Sequence, residues 1–195
     1  MDVNGYSAGV VIANDLKTQG LSDIELTSFF EAITDVFTDK ELKISAQEAN
    51  RNFKAYTTEM QQKMHAVTRL AGEEFLIENG KREGVTTTAS GLQYQVLKPS
   101  DNPVKPTIAS KVKVHYHGTT IDGTVFDSSV DRGEPISFPL SGVIQGWQEG
   151  LQLMPVGSSY RLYIPYNLAY GNRAAGPVIK PYSALIFDVT LLEIE

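Results

Sequence analysis

The sequence predicts an α+β protein, in which an all-α arm of two short helices and one long helix precedes an antiparallel sheet packed on one helix. Two observations lead to this prediction. Apolar residues recur at steps of three and four up to about residue 85, and from Ser90 onward they alternate with polar residues. One helix-like segment, VIQGWQEGLQLM, interrupts the strand-like runs. We therefore predict a helical domain of residues 1–85 and a sheet domain of residues 86–195.

The composition argues against several classes of protein. No apolar run of the 195-residue chain approaches the roughly 18 residues that a membrane-spanning helix needs. A net charge of -6 disfavours nucleic-acid binding, which normally uses a basic surface, and the absence of cysteine excludes a disulfide framework. The opening MDVNGYSAGV lacks the features of a signal peptide. We expect a cytoplasmic protein, or a periplasmic one if this is a mature form.

Two short helices open the chain. The first is predicted between Tyr6 and Gly20, since a glycine often follows the end of a helix. The second is predicted to begin at Ser22, because Glu25 follows it at the spacing of a capping box. It carries an apolar stripe and is expected to end near Thr38.

A third, long helix begins after Ser45, which with Glu48 forms a second capping box, and continues to about Glu83. At ~1.5 Å per residue it would be over 50 Å long. Its apolar stripe needs a covering surface along its length. Either the two short helices fold back on it, or a second copy of the chain covers it. We favour a homodimer through residues 1–85, since two helices of about four turns each are too short to cover the stripe.

Strands follow from Ser90, with a hairpin turn at Asp122-Gly123. The inward residues of these strands are predicted from the alternation. They are Leu92, Tyr94 and Val96; Val112, Val114 and Tyr116; Tyr160, Leu162 and Ile164; and Leu185, Phe187, Val189 and Leu191.

The sequence gives little support to a metal site or to a nucleophilic catalytic mechanism. His115 and His117 share a strand face, but Lys111 and Lys113 lie on the same face, and cations disfavour a divalent metal there. Asp127, Ser128 and a histidine form a nominal Ser/His/Asp set, yet no Gly-x-Ser-x-Gly elbow is present. No phosphate-binding glycine motif occurs either. We expect no metal and no cofactor.

The second half is rich in aromatic residues. If these residues did not simply fill the core, they would line a cavity whose single charge is Asp127. The six aromatic residues on or beside the strands and the short helix are Tyr116, Phe126, Phe138, Trp147, Tyr170 and Phe187.

Four blocks, VHYHGTTIDGTVFDSS, GVIQGWQEGLQLMPVGS, YIPYNLAYG and ALIFDVTLLEIE, resemble those of FKBP-type peptidyl-prolyl isomerases in order and spacing. The helical half is similar to the dimerisation arm of the macrophage-infectivity-potentiator subgroup. The resemblance implies a five-stranded antiparallel half-barrel wrapped on one helix, with a proline site between helix and sheet.

The resemblance also implies roles for particular residues. Trp147 would form the floor of the pocket, Asp127 and Tyr170 would be the catalytic polar groups, and the Ile144 N–H would bind a substrate carbonyl. The remaining substrate-binding residues would be Tyr116, Phe126, Phe138, Val143, Ile179 and Phe187. Three positions depart from the family pattern, Ile136, Leu168 and Ala175. We therefore expect a pocket that is wider or shallower on one side, which affects the binding of macrolide inhibitors more than the isomerase activity.

The expected function is peptidyl-prolyl cis-trans isomerisation of Xaa-Pro segments in unfolded or flexible proteins. Such a reaction needs no nucleophile because no covalent bond breaks. Two alternatives stay open: a chaperone or adaptor that holds proline-containing segments with little turnover, and a protein whose helical half carries the main function.

Overall fold

A computed structural model describes residues 2–195. The chain divides into two compact units, one extending to Ala66 and the other spanning Val67–Glu195. This division falls inside the third helix, and the boundary at residue 85 stays a prediction. None of the helices in residues 2–195 is both long enough and apolar enough to cross a bilayer.

The first unit begins with two helices, each capped by a carboxylate. Helix α1 (Val3–Thr18) is capped by Asp2, and helix α2 (Leu26–Phe37) by Glu25, whose two carboxylate oxygens accept hydrogen bonds from two backbone N–H groups at 2.7 and 2.8 Å. Those bonds, chiefly the one from Ser28, lower the pKa of Glu25 to about 2. The prediction that Ser22 caps α2 is therefore wrong: a carboxylate satisfies two helix N–H groups where a hydroxyl satisfies one.

Helix α3 (Ala46–Asn79) starts where the sequence predicts, since the Ser45 Oγ accepts a hydrogen bond of 3.1 Å from the Glu48 N–H. It ends four residues before the predicted Glu83. The Asn79 side chain is buried there and donates to Gln93, which fixes the end of the helix on the sheet.

The second unit is built on one seven-stranded antiparallel sheet in the order β1-β2-β6-β7-β3-β4, with β5 also paired to β3. Strand β3 pairs with β7 along one edge. Along its other edge it pairs with β5 over one stretch and with β4 over another, so β4 and β5 together act as one interrupted strand of the sheet. The strands are β1 (Val85–Thr87), β2 (Gln93–Lys98), β3 (Lys111–Thr120), β4 (Val125–Ser128), β5 (Ile136–Pro139), β6 (Ser159–Ile164) and β7 (Leu185–Ile194).

The predicted alternation is confirmed along β3 and β7, where every second residue of the central stretch is buried. It fails at Val96, which is 42% exposed. The pairing of β2 with β1 stops at Gln95, and its register with β6 shifts between Val96 and Lys98, so Val96 no longer follows the regular pleat.

Two α-helices and two 3₁₀ helices, Leu140–Gly142 and Tyr166–Leu168, lie within the described sheet domain. Helix α5 (Gln145–Leu153) packs against β6 through Gly146 and Gly150. A Cβ on Gly146 would overlap Ile164, and one on Gly150 would lie 2.7 Å from Leu162, so only glycine permits this close approach. A four-residue helix, α4 (Ser129–Arg132), follows β4 and was not predicted.

The last turns of α3 belong to the second unit by their packing. Gly72 lies against Ala184, the Phe75 ring is 6.0 Å from that of Tyr163, and Asn79 Nδ2 donates to Gln93 Oε1 at 2.8 Å. Gln93 in turn donates to the Leu76 carbonyl at 2.8 Å. A fragment that starts at residue 86 would lack all of these contacts.

We predict that a fragment of residues 67–195 is more stable than one of residues 86–195. The shorter fragment loses the Phe75 packing and both hydrogen bonds of the Gln93 side chain to α3, which together cost about 2 kcal/mol or more. Thermal unfolding followed by circular dichroism should differ by at least about 8 °C. The longer fragment carrying Asn79→Ala should fall between them. Equal midpoints would favour a boundary at residue 85.

Candidate active site

A cavity of about 530 Å³ opens in the second unit. All ten residues that the sequence predicts for the site line it: Tyr116, Phe126, Asp127, Phe138, Val143, Ile144, Trp147, Tyr170, Ile179 and Phe187. The structure adds Gly142, Ala175, Gly176, Pro177 and Val178 to the lining. Most of these side chains are apolar, and among the described residues of the lining Asp127 alone carries a formal charge.

The floor is a cluster of aromatic rings around Trp147, which is only 4% exposed. The rings of Tyr116, Phe138 and Phe187 meet the indole edge to face, at centroid distances of 5.2, 5.8 and 5.2 Å. Such contacts stabilise each other and restrict ring rotation. The indole and Phe187 touch, yet the cavity that both rings line stays open.

A glycine makes one wall possible. Gly118 of β3 lies where a Cβ would approach the Phe126 and Phe187 rings to within 2.7–2.9 Å. Its lack of a side chain lets these rings pack edge to face at 5.3 Å. Sequence reasoning missed Gly118, because a glycine inside a strand is also typical of a bulge.

The charged wall is a triad of Asp127, Tyr116 and Arg132. The Tyr116 hydroxyl donates to Asp127 Oδ2, the Arg132 guanidinium donates to Oδ1, and Arg132 also donates to the Tyr116 oxygen at 3.1 Å. Helix α4 places Arg132, and the Ser128 hydroxyl caps that helix by accepting from the Asp131 N–H. The Ser-x-x-Asp spacing from Ser128 is a capping signal that would have located this helix.

The triad sets the ionisation of its members. Partial burial opposes ionisation of Asp127, but the hydrogen bonds from Tyr116 and Arg132 outweigh it, so the pKa of Asp127 is lowered. Burial first, and then the bond to Asp127, raise the pKa of Tyr116. At neutral pH the wall therefore presents an ionised carboxylate and a neutral phenol.

A loop contributes Ala175, Gly176, Pro177, Val178 and Ile179 to the cavity lining. Ala175 and Ile179 form a β-bridge, with N–H to carbonyl distances of 2.9 and 3.3 Å, and Gly176 takes a positive φ of 60° at its turn. Tyr170, at the start of this loop, is 41% exposed. Its hydroxyl is therefore within reach of a ligand entering from solvent.

The amino end of α5 supplies a backbone donor. Ile144 is the N-cap residue, and no side chain caps the helix there. Within residues 2–195 the Ile144 N–H forms no hydrogen bond. A free N–H on an apolar wall is suited to bind a carbonyl oxygen.

Each of the two strand histidines lies within hydrogen-bond distance of a serine hydroxyl. His115 Nδ1 lies 3.1 Å from the Ser129 Oγ, and His117 Nδ1 lies 3.0 Å from the Ser128 Oγ. No cluster of three or more metal-ligating side chains occurs in the part of the chain that the structure describes.

One of the three departures from the family pattern reaches the cavity. Ala175 lines it, whereas Ile136 packs against the core and Leu168 is 8% exposed and outside the lining. Of the three, Ala175 is therefore the position at which a departure from the family pattern would alter the cavity lining directly.

Comparison with known proteins matches both halves of the chain to one family. A family model described as FKBP-type peptidyl-prolyl cis-trans isomerase matches residues 102–192, and one described as the domain amino terminal to FKBP-type peptidyl-prolyl isomerase matches residues 1–96.

Similar proteins agree with these matches. The FKBP-type isomerase FkpA of Aeromonas hydrophila is 45% identical over 98% of this chain and 74% of its own length. The FKBP-type 22 kDa isomerase of Escherichia coli is 42% identical over 97% of this chain and 93% of its own. The crystal structure of Escherichia coli FkpA superposes with a TM-score of 0.80 at 37% identity, covering 98% of this chain and 92% of that one. The chain belongs to the FKBP-type peptidyl-prolyl cis-trans isomerase family.

Proposed function

We propose that the cavity accelerates rotation about Xaa-Pro bonds in unfolded or flexible protein segments by removing water from the prolyl amide. The observation that carries this proposal is an open cavity with an aromatic floor, a free backbone donor and one ionised carboxylate. No bond to substrate is made or broken, so the protein needs only to change the relative stability of the planar and twisted amide.

The physical basis is amide resonance. The planar amide places negative charge on its oxygen and double-bond character in its C–N bond, which gives a rotation barrier of ~18–20 kcal/mol. Water stabilises this charge-separated form more than the twisted form. An apolar cavity that excludes water therefore raises the planar state relative to the transition state.

The polar groups of the lining orient the substrate in this proposal. The Ile144 N–H and the Tyr170 hydroxyl each bind a substrate carbonyl and hold the segment while one amide turns. Asp127 places a negative field beside the rotating carbonyl group, whose carbon becomes more electrophilic as resonance is lost. Arg132 holds the carboxylate in place.

We further propose that the first unit forms a homodimer. Helices α1 and α2 contain no buried residue, and their apolar side chains line a groove of about 720 Å³. Tyr6 and Phe30 on this groove are 64% and 59% exposed. A helix with one apolar face is stable in water only when that face is covered.

A second copy of the chain is the occupant that fits this groove. Among the described residues that line the groove, Asp2 and Lys17 are the only charged ones. A surface that covers this groove should therefore be apolar as well. The same two helices present such a surface, and a two-fold axis would cover both copies at once. A dimer would also bring two prolyl sites to one unfolded chain, which raises their effective concentration.

We also propose that macrolide inhibitors bind this cavity weakly. At Ala175, one of the positions that depart from the family pattern, the wall offers only a methyl group, so a large ring would make few contacts there.

We predict that the full-length protein speeds the cis-to-trans relaxation of a short Xaa-Pro peptide, with kcat/KM above roughly 10⁴ M⁻¹ s⁻¹. Trp147 is the only tryptophan and lies in the cavity floor, so its fluorescence reports peptide binding independently of turnover. A fluorescence change with relaxation at the background rate would contradict catalysis and support a chaperone or adaptor that only holds proline segments.

The Asp127 carboxylate should contribute about tenfold to kcat/KM, measured as the loss in an Asp127→Asn variant. Because the folded pKa of Asp127 is lowered below 3.8, wild-type kcat/KM should stay constant from about pH 5 to pH 9 and fall only at more acidic pH. The variant should show no such acidic fall. Asp131→Asn, which removes a carboxylate outside the cavity, is the control and should change kcat/KM less than twofold. Full activity of Asp127→Asn would leave desolvation as the whole mechanism.

Sedimentation should show a particle of twice the 21.4 kDa chain mass at micromolar concentration. Phe30→Asp should shift it to a monomer, because the new carboxylate would be buried in the apolar interface. Ser28→Asp adds the same charge to the opposite face of α2 and should leave the dimer intact. Turnover of a short peptide should be equal in all three proteins. A monomeric wild type would refute the proposed assembly.

A further inference from the structure

We propose that Gln148 is a positioning residue that orients and polarises the Ile144 N–H toward the substrate. The inference rests on the proposed role of that N–H and names the side chain that controls it. Gln148 does not line the cavity, and neither the family resemblance nor the lining residues point to it.

The Gln148 side chain reaches backward past the start of its own helix. It is the fourth residue of α5, and its Nε2 donates to the Val143 carbonyl at 2.8 Å and approaches the Ser141 carbonyl at 3.4 Å. Both carbonyls precede the helix. The amide therefore holds the segment that leads into α5.

The Val143 carbonyl and the Ile144 N–H belong to the same peptide unit. This unit is planar and trans, so its C=O and N–H point in opposite directions. A hydrogen bond that fixes the direction of the carbonyl also fixes the direction of the N–H. Gln148 thereby sets the donor's direction without touching it.

Few other hydrogen bonds hold the segment before α5. Val143 (φ -101°, ψ 174°) and Ile144 (φ -59°, ψ 150°) are both extended. On the helix side the Ile144 carbonyl accepts from the N–H groups of Trp147 and Gln148 at 2.9 and 3.0 Å, and on the other side the Leu140 N–H donates to the Ser110 carbonyl at 2.9 Å. Ser141 and Gly142 between them are exposed.

The same bond strengthens the donor. An amide whose oxygen accepts a hydrogen bond becomes a better donor at its nitrogen, because the two bonds polarise one another. Gln148 could instead serve to cap the helix, but a cap would accept from the free N–H groups of the first turn. Here the side chain donates to carbonyls and leaves those N–H groups available.

The test is a Gln148→Glu variant with peptide Kd measured by Trp147 fluorescence between pH 4 and pH 8. An ionised glutamate cannot donate to the two carbonyls and repels them, whereas a protonated one donates again through its O–H. We expect the Kd to rise about tenfold at pH 8 and to return toward the wild-type value at pH 4. The carbonyl oxygens favour the protonated form, so the pKa of the introduced glutamate should lie above its usual value of about 4.3.

Two further variants separate positioning from charge and from folding. Gln152→Glu adds the same charge one helical turn later, where the side chain of Gln152 bonds only within the helix, and should leave the Kd unchanged at every pH. Gln148→Met keeps the length of the side chain without a donor, and should weaken binding equally at both pH values.

A Gln148→Glu variant whose Kd matches the wild type, or whose loss does not depend on pH, would overturn the proposal. The same holds if Gln152→Glu weakens binding as much. Because the readout is binding, a protein that binds peptide without turnover contradicts the proposed catalysis and still tests the role of Gln148.

Discussion

Keeping water away from a single amide requires walls that do not rearrange when a ligand enters. The edge-to-face packing of Trp147 with its three neighbouring rings provides such walls, because each ring blocks the rotation of the next. Gly118 is part of the same constraint, since a methyl group there would push Phe126 and Phe187 apart. The polar groups of the lining then orient a ligand in the cavity that these rings line.

The mostly apolar lining of the cavity disfavours the ionised form of Asp127, its one charged residue among those described. Desolvation alone would drive Asp127 toward its neutral form, and a neutral acid would lose its field. Arg132 and the Tyr116 hydroxyl reverse that tendency, which is why the pKa of Asp127 falls despite partial burial. The short helix α4 directly follows β4 and places the Arg132 guanidinium beside the Asp127 carboxylate of that strand.

Periodicity predicted which way individual side chains of the cavity point, and the resemblance to FKBP-type isomerases implied the rest of the lining. Tyr116 and Phe187 fall on inward positions of long, regular strands, and Trp147 follows the helical spacing of α5. Val143, Ile144 and Ile179 lie outside regular strands, so no local period located them. Arg132 and Gln148 escaped prediction for a different reason: each acts through a hydrogen bond across a turn, and polar residues near turns are usually solvated. The misplaced start of α2 has the same origin, since a cap is decided by geometry among several polar candidates.

The position of the Ile144 donor depends finally on how closely α5 approaches the sheet. Glycine at 146 and 150 lowers the intrinsic stability of this helix by roughly 1 kcal/mol each relative to alanine. Burial of Ile164 and Leu162 against the bare backbone offsets this cost, and both side chains are fully buried. A larger residue would lift the first turn of α5 away from β6. The N–H at its amino end would then move with it. The two glycines therefore lower the intrinsic stability of the helix but keep the Ile144 N–H at the cavity wall.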